Sequence, residues 1–245
     1  MMINGFRQRI SGRFKKGKMK SVQLITGSTF QVIEAYKILR TNLLFALAAG
    51  ENKVVVISSA LPSEGKSSTC ANLAAAMAQT GAKVVLIDAD LRKPTQNQIF
   101  KCDNSRGLSG ILAGFNDLEE VIERSVNPNL DIITSGPIPP NPSELLGCEQ
   151  MSCLLAHLSK EYEYVFIDTP PINVVADALI ISNKAAGVVM VVRHGHSTYN
   201  ELTKAVSRVE FANAVILGLV VNGIKEKSGM YGKHKYGKYS SYSRK

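Results

Sequence analysis

The nine residues Ala60-Leu61-Pro62-Ser63-Glu64-Gly65-Lys66-Ser67-Ser68 constrain this chain more than any other stretch. They join an apolar run, Lys53 to Ser59, to an Ala-rich segment with helical periodicity. A strand, a glycine-bearing loop and a helix in that order form a cradle for an anion. Gly65 lets the backbone close around it, and the free N–H groups at the helix start supply about half a positive charge. Lys66 adds a mobile full charge, and Ser67 offers a hydroxyl where a phosphate-bound magnesium needs a ligand. Ala60 stands where the GxxxxGK[ST] pattern has its first glycine, and Pro62 stiffens the loop in return. Ala60, Pro62, Ser63, Glu64, Gly65, Lys66, Ser67 and Ser68 are therefore the expected phosphate contacts. The rival reading is a helix that merely happens to start Gly-Lys-Ser, and the segments around the loop count against it.

Short apolar runs alternate with helical patterns along the rest of the chain, which predicts an α/β fold with a mainly parallel sheet and helices on both faces. Strands are expected at 53–58, 83–88, 130–134, 164–168, 187–192 and 215–222. A first helix should run from Ser28 or Thr29 to about Ala48, with Ala35, Leu39, Leu43 and Leu47 on its inner stripe and Glu34, Lys37 and Arg40 on its polar side. The helix after the loop, 65–80, should bury Cys70, Leu73, Ala74 and Met77 and stop at Gly81. Short helical pieces fit 108–113 and 118–123. One helix capped by Asn141, Pro142 and Glu144 should bury Met151, Leu154, Leu155 and Leu158. Further helices are expected near 174–183 and through Leu202, Ala205, Val206 and Val209.

Two strands end in acid. Val84-Val85-Leu86-Ile87-Asp88-Ala89-Asp90 and Tyr164-Val165-Phe166-Ile167-Asp168 deliver carboxylates to the carboxyl edge of a parallel sheet, the edge from which the phosphate loop emerges. Asp88, Asp90 and Asp168 then surround one magnesium nucleotide. A turn or capping Asp is the plainer alternative for any one of them.

Of the 245 residues, 45% are hydrophobic and none is Trp, which suits a globular domain with a buried sheet. No apolar run approaches the roughly 18 residues of a membrane span, and the basic N-terminus lacks the apolar core of a secretory signal, so a cytoplasmic location is expected. Cys70, Cys102, Cys148 and Cys153 show no metal-ligand spacing and read as reduced, small core residues. The net charge of +9 is unevenly placed. Residues 1–20 hold seven Lys/Arg and no acid, 224–245 hold seven against Glu226 alone, and the middle carries 15 basic against 19 acidic residues. We therefore read a flexible basic arm (1–28), one folded domain (29–223) and a flexible basic tail (224–245). Such arms either seek anionic lipid and other polyanions or simply aid solubility.

Together, ALPSEGKSS, VVLIDADLRKP, FIDTPP and the tyrosine-rich C-terminus resemble the bacterial tyrosine kinases of capsule and exopolysaccharide synthesis, from about Thr29 onward. The resemblance implies the P-loop NTPase fold of the deviant-Walker type, with the first three stretches as Walker A, Walker A′ and Walker B. It implies ATP and Mg2+, with Lys66, Asp88 and Asp90 as the catalytic residues. Lys66 and Ser67 would bind phosphate and magnesium, Asp90 and Asp168 would complete the magnesium shell, and Asp88 would orient or deprotonate the attacking tyrosine. Asn222 matches the position that reads adenine. Partition and septum-placement ATPases of the same fold carry an extra lysine where Leu61 stands, which favours the kinases. Glu34, Lys37 and Arg40 resemble the ExxRxxR oligomerisation motif, with Lys37 in place of its middle arginine, so a homo-oligomeric ring is implied. A separate membrane protein is implied as activator, with the chain peripheral at the inner face of the membrane.

The tail holds Tyr231, Tyr236, Tyr239 and Tyr242 and no aliphatic residue from Tyr231 onward, so these tyrosines build no core. Beside kinase motifs they read as autophosphorylation sites; without them, nucleic-acid binding by interleaved aromatic and basic residues would compete, and no nucleic acid is expected here. Arg92 and Lys93 either neutralise transferred charge or solvate a loop. His194 and His196 suit a polar loop better than a metal site. The function implied is an ATP-dependent tyrosine kinase that phosphorylates its own tail between subunits and regulates capsular and exopolysaccharide synthesis and export. A partition-type nucleotide switch and a non-enzymatic polyanion- or membrane-binding module are the rivals.

Overall fold

The computed structural model describes residues 29–224. The segments read as arm and tail, including the four acceptor tyrosines, lie outside the described residues.

The runs expected to be strands are continuous and apolar, so they must be covered on both faces. Among the described residues a seven-stranded sheet has the order β3-β4-β2-β5-β1-β6-β7. Its strands are β1 (Val54–Ser59), β2 (Val84–Asp88), β3 (Glu123–Asn127), β4 (Leu130–Ile133), β5 (Tyr164–Asp168), β6 (Gly187–Arg193) and β7 (Ile216–Asn222). All neighbours run parallel except β3 and β4. Side-chain alternation divides the core in two. Val55, Ile57, Val84 and Leu86 face α1 (Phe30–Leu47), α2 (Lys66–Ala78) and α3 (Gln96–Phe100). Val54, Val56, Val85 and Ile87 face the other layer: α4 (Leu108–Leu112), α5 (Leu118–Val121), α6 (Pro142–Gly147), α7 (Glu149–Glu161), α8 (Asp177–Ser182) and α9 (Tyr199–Phe211). Helices thus cover both faces, as expected.

Several local expectations are corrected. On α1, Leu43 and Leu47 are buried but Ala35 is exposed; the inner stripe runs instead through Ile33, Tyr36, Leu39, Leu43, Leu44 and Leu47. The bulkier side chains set the rotation of the helix, because each offers roughly 1.5–3 kcal/mol on full burial and Ala far less. Arg40 is turned inward too, and donates to the Ala76 carbonyl oxygen at 2.9 Å near the end of α2, so it does not share an outward face with Glu34 and Lys37. The helix expected from Asn141 onward is two, because Cys148 is extended (φ −67, ψ 165) and starts α7 afresh after Gly147. β3 was not foreseen: Glu123-Arg124-Ser125-Val126-Asn127 is a polar antiparallel edge strand. Cys70 is buried, whereas Cys102, Cys148 and Cys153 are half-exposed, and none of the four is in a disulfide among the described residues.

Candidate active site

The loop after β1 needs unusual backbone. Ser63 and Gly65 both lie in the left-handed region, at φ 64 and φ +88, which costs a non-glycine residue roughly 1 kcal/mol or more. At Gly65 conformation is not the whole constraint, since a Cβ there would stand 2.1 Å from the Asn222 amide nitrogen. That nitrogen donates to the Glu64 carbonyl oxygen at 3.1 Å, so the end of β7 braces the loop. Glu64 is itself fully buried and turned away from the cradle. Its carboxylate accepts from the Leu61 N–H (2.8 Å), the Arg193 N–H (3.2 Å) and the Ser197 hydroxyl. His196 lies 3.0 Å from the Pro62 carbonyl oxygen, and Arg193 donates to that of Ser63. The His194–His196 turn is thus a polar loop holding the phosphate loop in shape.

α2 starts at Lys66, directly after Gly65, so its unpaired N–H groups face the cradle. The Lys66 ammonium donates to Asp90 Oδ2 at 2.8 Å and to Ser67 Oγ at 3.1 Å, and lies 3.7 Å from Asp168 Oδ1. Parallel register places Asp88 directly opposite Asp168 at the ends of β2 and β5. Asp88 is tied down by main-chain donors: Oδ1 accepts from Asp90, and Oδ2 accepts from Thr95 and Gln96 at 3.0 and 2.9 Å. Asp90 Oδ1 accepts from the Lys93 N–H at 3.0 Å. Gln96 donates to Asp168 Oδ2 at 2.8 Å.

Burying carboxylates side by side has a cost that appears as proton affinity. Burial, then the facing Asp168, pushes Asp88 up to about 7. Burial also raises Asp168, against the pull of Lys66, Ser67 and Gln96. Lys66 is opposed by its own burial, yet Asp168 and Asp90 outweigh that and hold it above the ordinary lysine value. Three buried carboxylates therefore share one ammonium, and Asp168 Oδ1 has no hydrogen-bond donor. That excess of negative charge fits a divalent cation near Ser67, Asp90 and Asp168. Among the described residues no three His, Cys, Asp or Glu are grouped to hold a metal unaided; magnesium, which keeps several waters and takes phosphate oxygens, does not require such a cage.

Arg92, expected to neutralise transferred charge or to solvate a loop, is held by side-chain partners of its own. It pairs with the buried Asp177 on α8 at 2.8 Å and donates to Ser143 Oγ on α6 at 3.0 Å, latching the loop after Asp90 to two helices. Gln96, Arg193 and Ser197 were not foreseen at the site. Each is a polar residue in or beside a loop, with no motif of its own to single it out.

A mainly parallel sheet with a phosphate loop, its lysine and three converging acids is a P-loop nucleotide-binding fold of the deviant-Walker type. Residues 52–213 match the AAA domain family. The chain is 44% identical over 200 residues to the tyrosine-protein kinase YwqD of Bacillus subtilis, covering 81% of this chain and 84% of that one. It is 37% identical to the tyrosine-protein kinase wzc of Salmonella typhimurium over 94% of its own length, but spans only 32% of that relative. Its fold superposes on the kinase domain of the Escherichia coli tyrosine kinase ETK with a TM-score of 0.82 at 35% identity, covering 90% of this chain and 87% of that one. The chain belongs to the bacterial tyrosine-protein kinases. No helix among the described residues is long and apolar enough to cross a membrane.

Proposed function

We propose that the chain transfers the γ-phosphoryl group of Mg-ATP to tyrosine hydroxyls, foremost its own Tyr231, Tyr236, Tyr239 and Tyr242, and that transfer runs between subunits. The observation that carries this reading is Lys66 held among Asp90, Asp168 and Asp88 at the start of α2. When nucleotide enters, Lys66 exchanges its carboxylate partners for phosphate oxygens, and the α2 N–H groups hold the anion. Ser67, Asp90 and Asp168 would hold Mg2+, which would supply charge neutralisation for the transferred phosphoryl group. Asp88, fixed by three main-chain donors, accepts the phenol proton as the tyrosine oxygen attacks. Its raised proton affinity suits that task, because a phenol near pKa 10 gives up its proton only as the bond to phosphorus forms.

On this reading residues 29–223 form the kinase domain, with 1–28 as a basic arm and 224–245 as a substrate tail. The tail carries seven Lys/Arg against Glu226. Four phosphates at about −1.5 to −2 each would bring it from strongly basic to roughly neutral or acidic, and so release it from the acidic site of a neighbour. Glu34 and Lys37, exposed and paired at 2.7 Å, and the outward apolar side chains of α1 provide the contact between subunits. A membrane partner of a capsular or exopolysaccharide export system acts as activator and keeps the chain at the inner face of the membrane.

The test mixes two proteins: a Lys66→Met chain with an intact tail, and an active chain whose four tail tyrosines are Phe. Phosphotyrosine on the dead chain is expected. None there, while wild-type protein labels itself normally, would exclude transfer between subunits.

A further inference from the structure

Gln96 opens α3 and is fully buried despite its amide. Its side-chain nitrogen has two acceptors, Asp168 Oδ2 at 2.8 Å and the Ser67 carbonyl oxygen at 3.0 Å. Its main-chain N–H donates to Asp88 Oδ2 at 2.9 Å. One residue thus touches the phosphate-loop helix and both acid-bearing strands. Since both side-chain partners are acceptors, the amide has one orientation only: nitrogen toward Asp168, oxygen away. The oxygen, buried as well, finds no donor. An amide buried with one end unmatched costs stability that Met or Leu of similar size would not. Packing therefore does not account for a glutamine here, whereas its two donors do.

We propose that Gln96 is a positioning residue for phosphoryl transfer. Its paired N–H donors hold Asp168 Oδ2 so that Oδ1 faces Lys66, and they tie that carboxylate to the turn carrying Ser67, keeping the cation-holding groups in one geometry. The proposal rests on Ser67 and Asp168 being magnesium ligands, as read above. Partners one step removed from a metal typically change its affinity 10- to 100-fold when lost.

Gln96→Met keeps the volume and removes the donors, whereas Gln96→Glu keeps the volume and sets a second carboxylate against Asp168. The measurement is ADP affinity by titration calorimetry with Mg2+ and with chelator, and the Mg2+ concentration for half-maximal transfer. For Gln96→Met, ADP affinity in chelator should stay within about twofold of wild type. The gain on adding Mg2+ should shrink about tenfold, and the Mg2+ requirement for transfer should rise by a similar factor. Gln96→Glu should lose more than Gln96→Met; if it does not fold, the Met variant decides alone. Wild-type magnesium coupling in Gln96→Met, or equal loss of affinity with and without Mg2+, overturns the proposal. Asp168→Asn separates the two failures. If it abolishes magnesium coupling while Gln96→Met does not, only the positioning role falls; if it too leaves coupling intact, the magnesium reading falls and this proposal with it.

Discussion

At the centre of the sheet, β2, β5 and β1 bury every residue, including the acids that end two of them, whereas β7 at the rim leaves Leu219 and Val221 each 52% exposed. Helix α1, which packs on α2, likewise turns Phe30, Ile38 and Phe45 outward. The centre takes charge out of water and accounts for nearly all of it with named partners: Lys66, Gln96 and main-chain N–H groups. Among the described residues, the rim leaves these apolar side chains exposed. An apolar stripe of this kind on one helix is what a protein–protein contact covers. Buried charge and exposed apolar surface are thus separated in space, yet α2 touches both: its first residue is Lys66, and its Ala76 carbonyl takes Arg40 from α1.

If that division is right, the largest effects belong to the centre. Lys66→Met should lower transfer by at least about 10²-fold while the domain stays folded, as read by phosphotyrosine formation and circular dichroism. Normal transfer would move the chemistry elsewhere. Next come the two facing acids. Asp88→Asn should leave Mg-ATP affinity near wild type while transfer collapses, and Asp168→Asn should weaken the magnesium dependence of binding as well; equal loss of binding in both would erase the distinction between them.

A smaller effect concerns pH in magnesium-free protein. Asp88 binds its proton more tightly folded than unfolded, so the stability it contributes is complete below about pH 4 and is lost as pH rises through about 7. Chemical denaturation should show stability falling over that window by at most about 1.4 kcal/mol per pH unit, and Asp88→Asn should flatten the fall.

The rim gives the smallest changes in a single subunit. Arg40→Ala removes one hydrogen bond to Ala76, worth about 1 kcal/mol, or a Tm drop of roughly 2–4 °C. A drop near zero would show that the inward contact is idle and leave Arg40 to assembly alone. Phe45→Ser should change stability by less than about 0.5 kcal/mol while shifting sedimentation toward monomer. An unchanged sedimentation profile with unchanged Tm would remove α1 from the contact.

The centre was also the more legible region. Val54 to Ile57, Val84 to Ile87 and Tyr164 to Ile167 are apolar without interruption, so their burial, and the acids that end the second and third strands, could be read from residue order alone. Gly65-Lys66-Ser67 carries its chemistry in its spacing. Partners fixed only by tertiary contact could not be read. Gln96 follows a loop of ordinary polar residues, and nothing local says that its amide reaches Asp168, 72 residues away. Arg40 lies on a helix where charge normally faces water, and only the nearness of the end of α2 draws it in. Ala35 misled because a helical period can be laid on α1 in more than one phase, and the phase is decided by Tyr36 meeting α2. β3 lacks alternating apolar residues and exists because β4 offers it an edge.

The brace between Asn222 and the phosphate loop bears on how this kinase can change over generations. The two ends of that contact are 158 residues apart, yet the space a Cβ would need at Gly65 is filled by the Asn222 amide. Neither position is free to drift while the other stands still. A lineage replacing Asn222 by a larger residue would push on the backbone at Gly65, and one replacing it by a smaller residue would leave the Glu64 carbonyl without its donor. Ancestral reconstruction should therefore find the two positions changing together or not at all. For the same reason the nine-residue loop is not a portable cassette. Grafted onto another strand and helix it would carry its glycine, lysine and serine but lack the final strand that keeps them in shape.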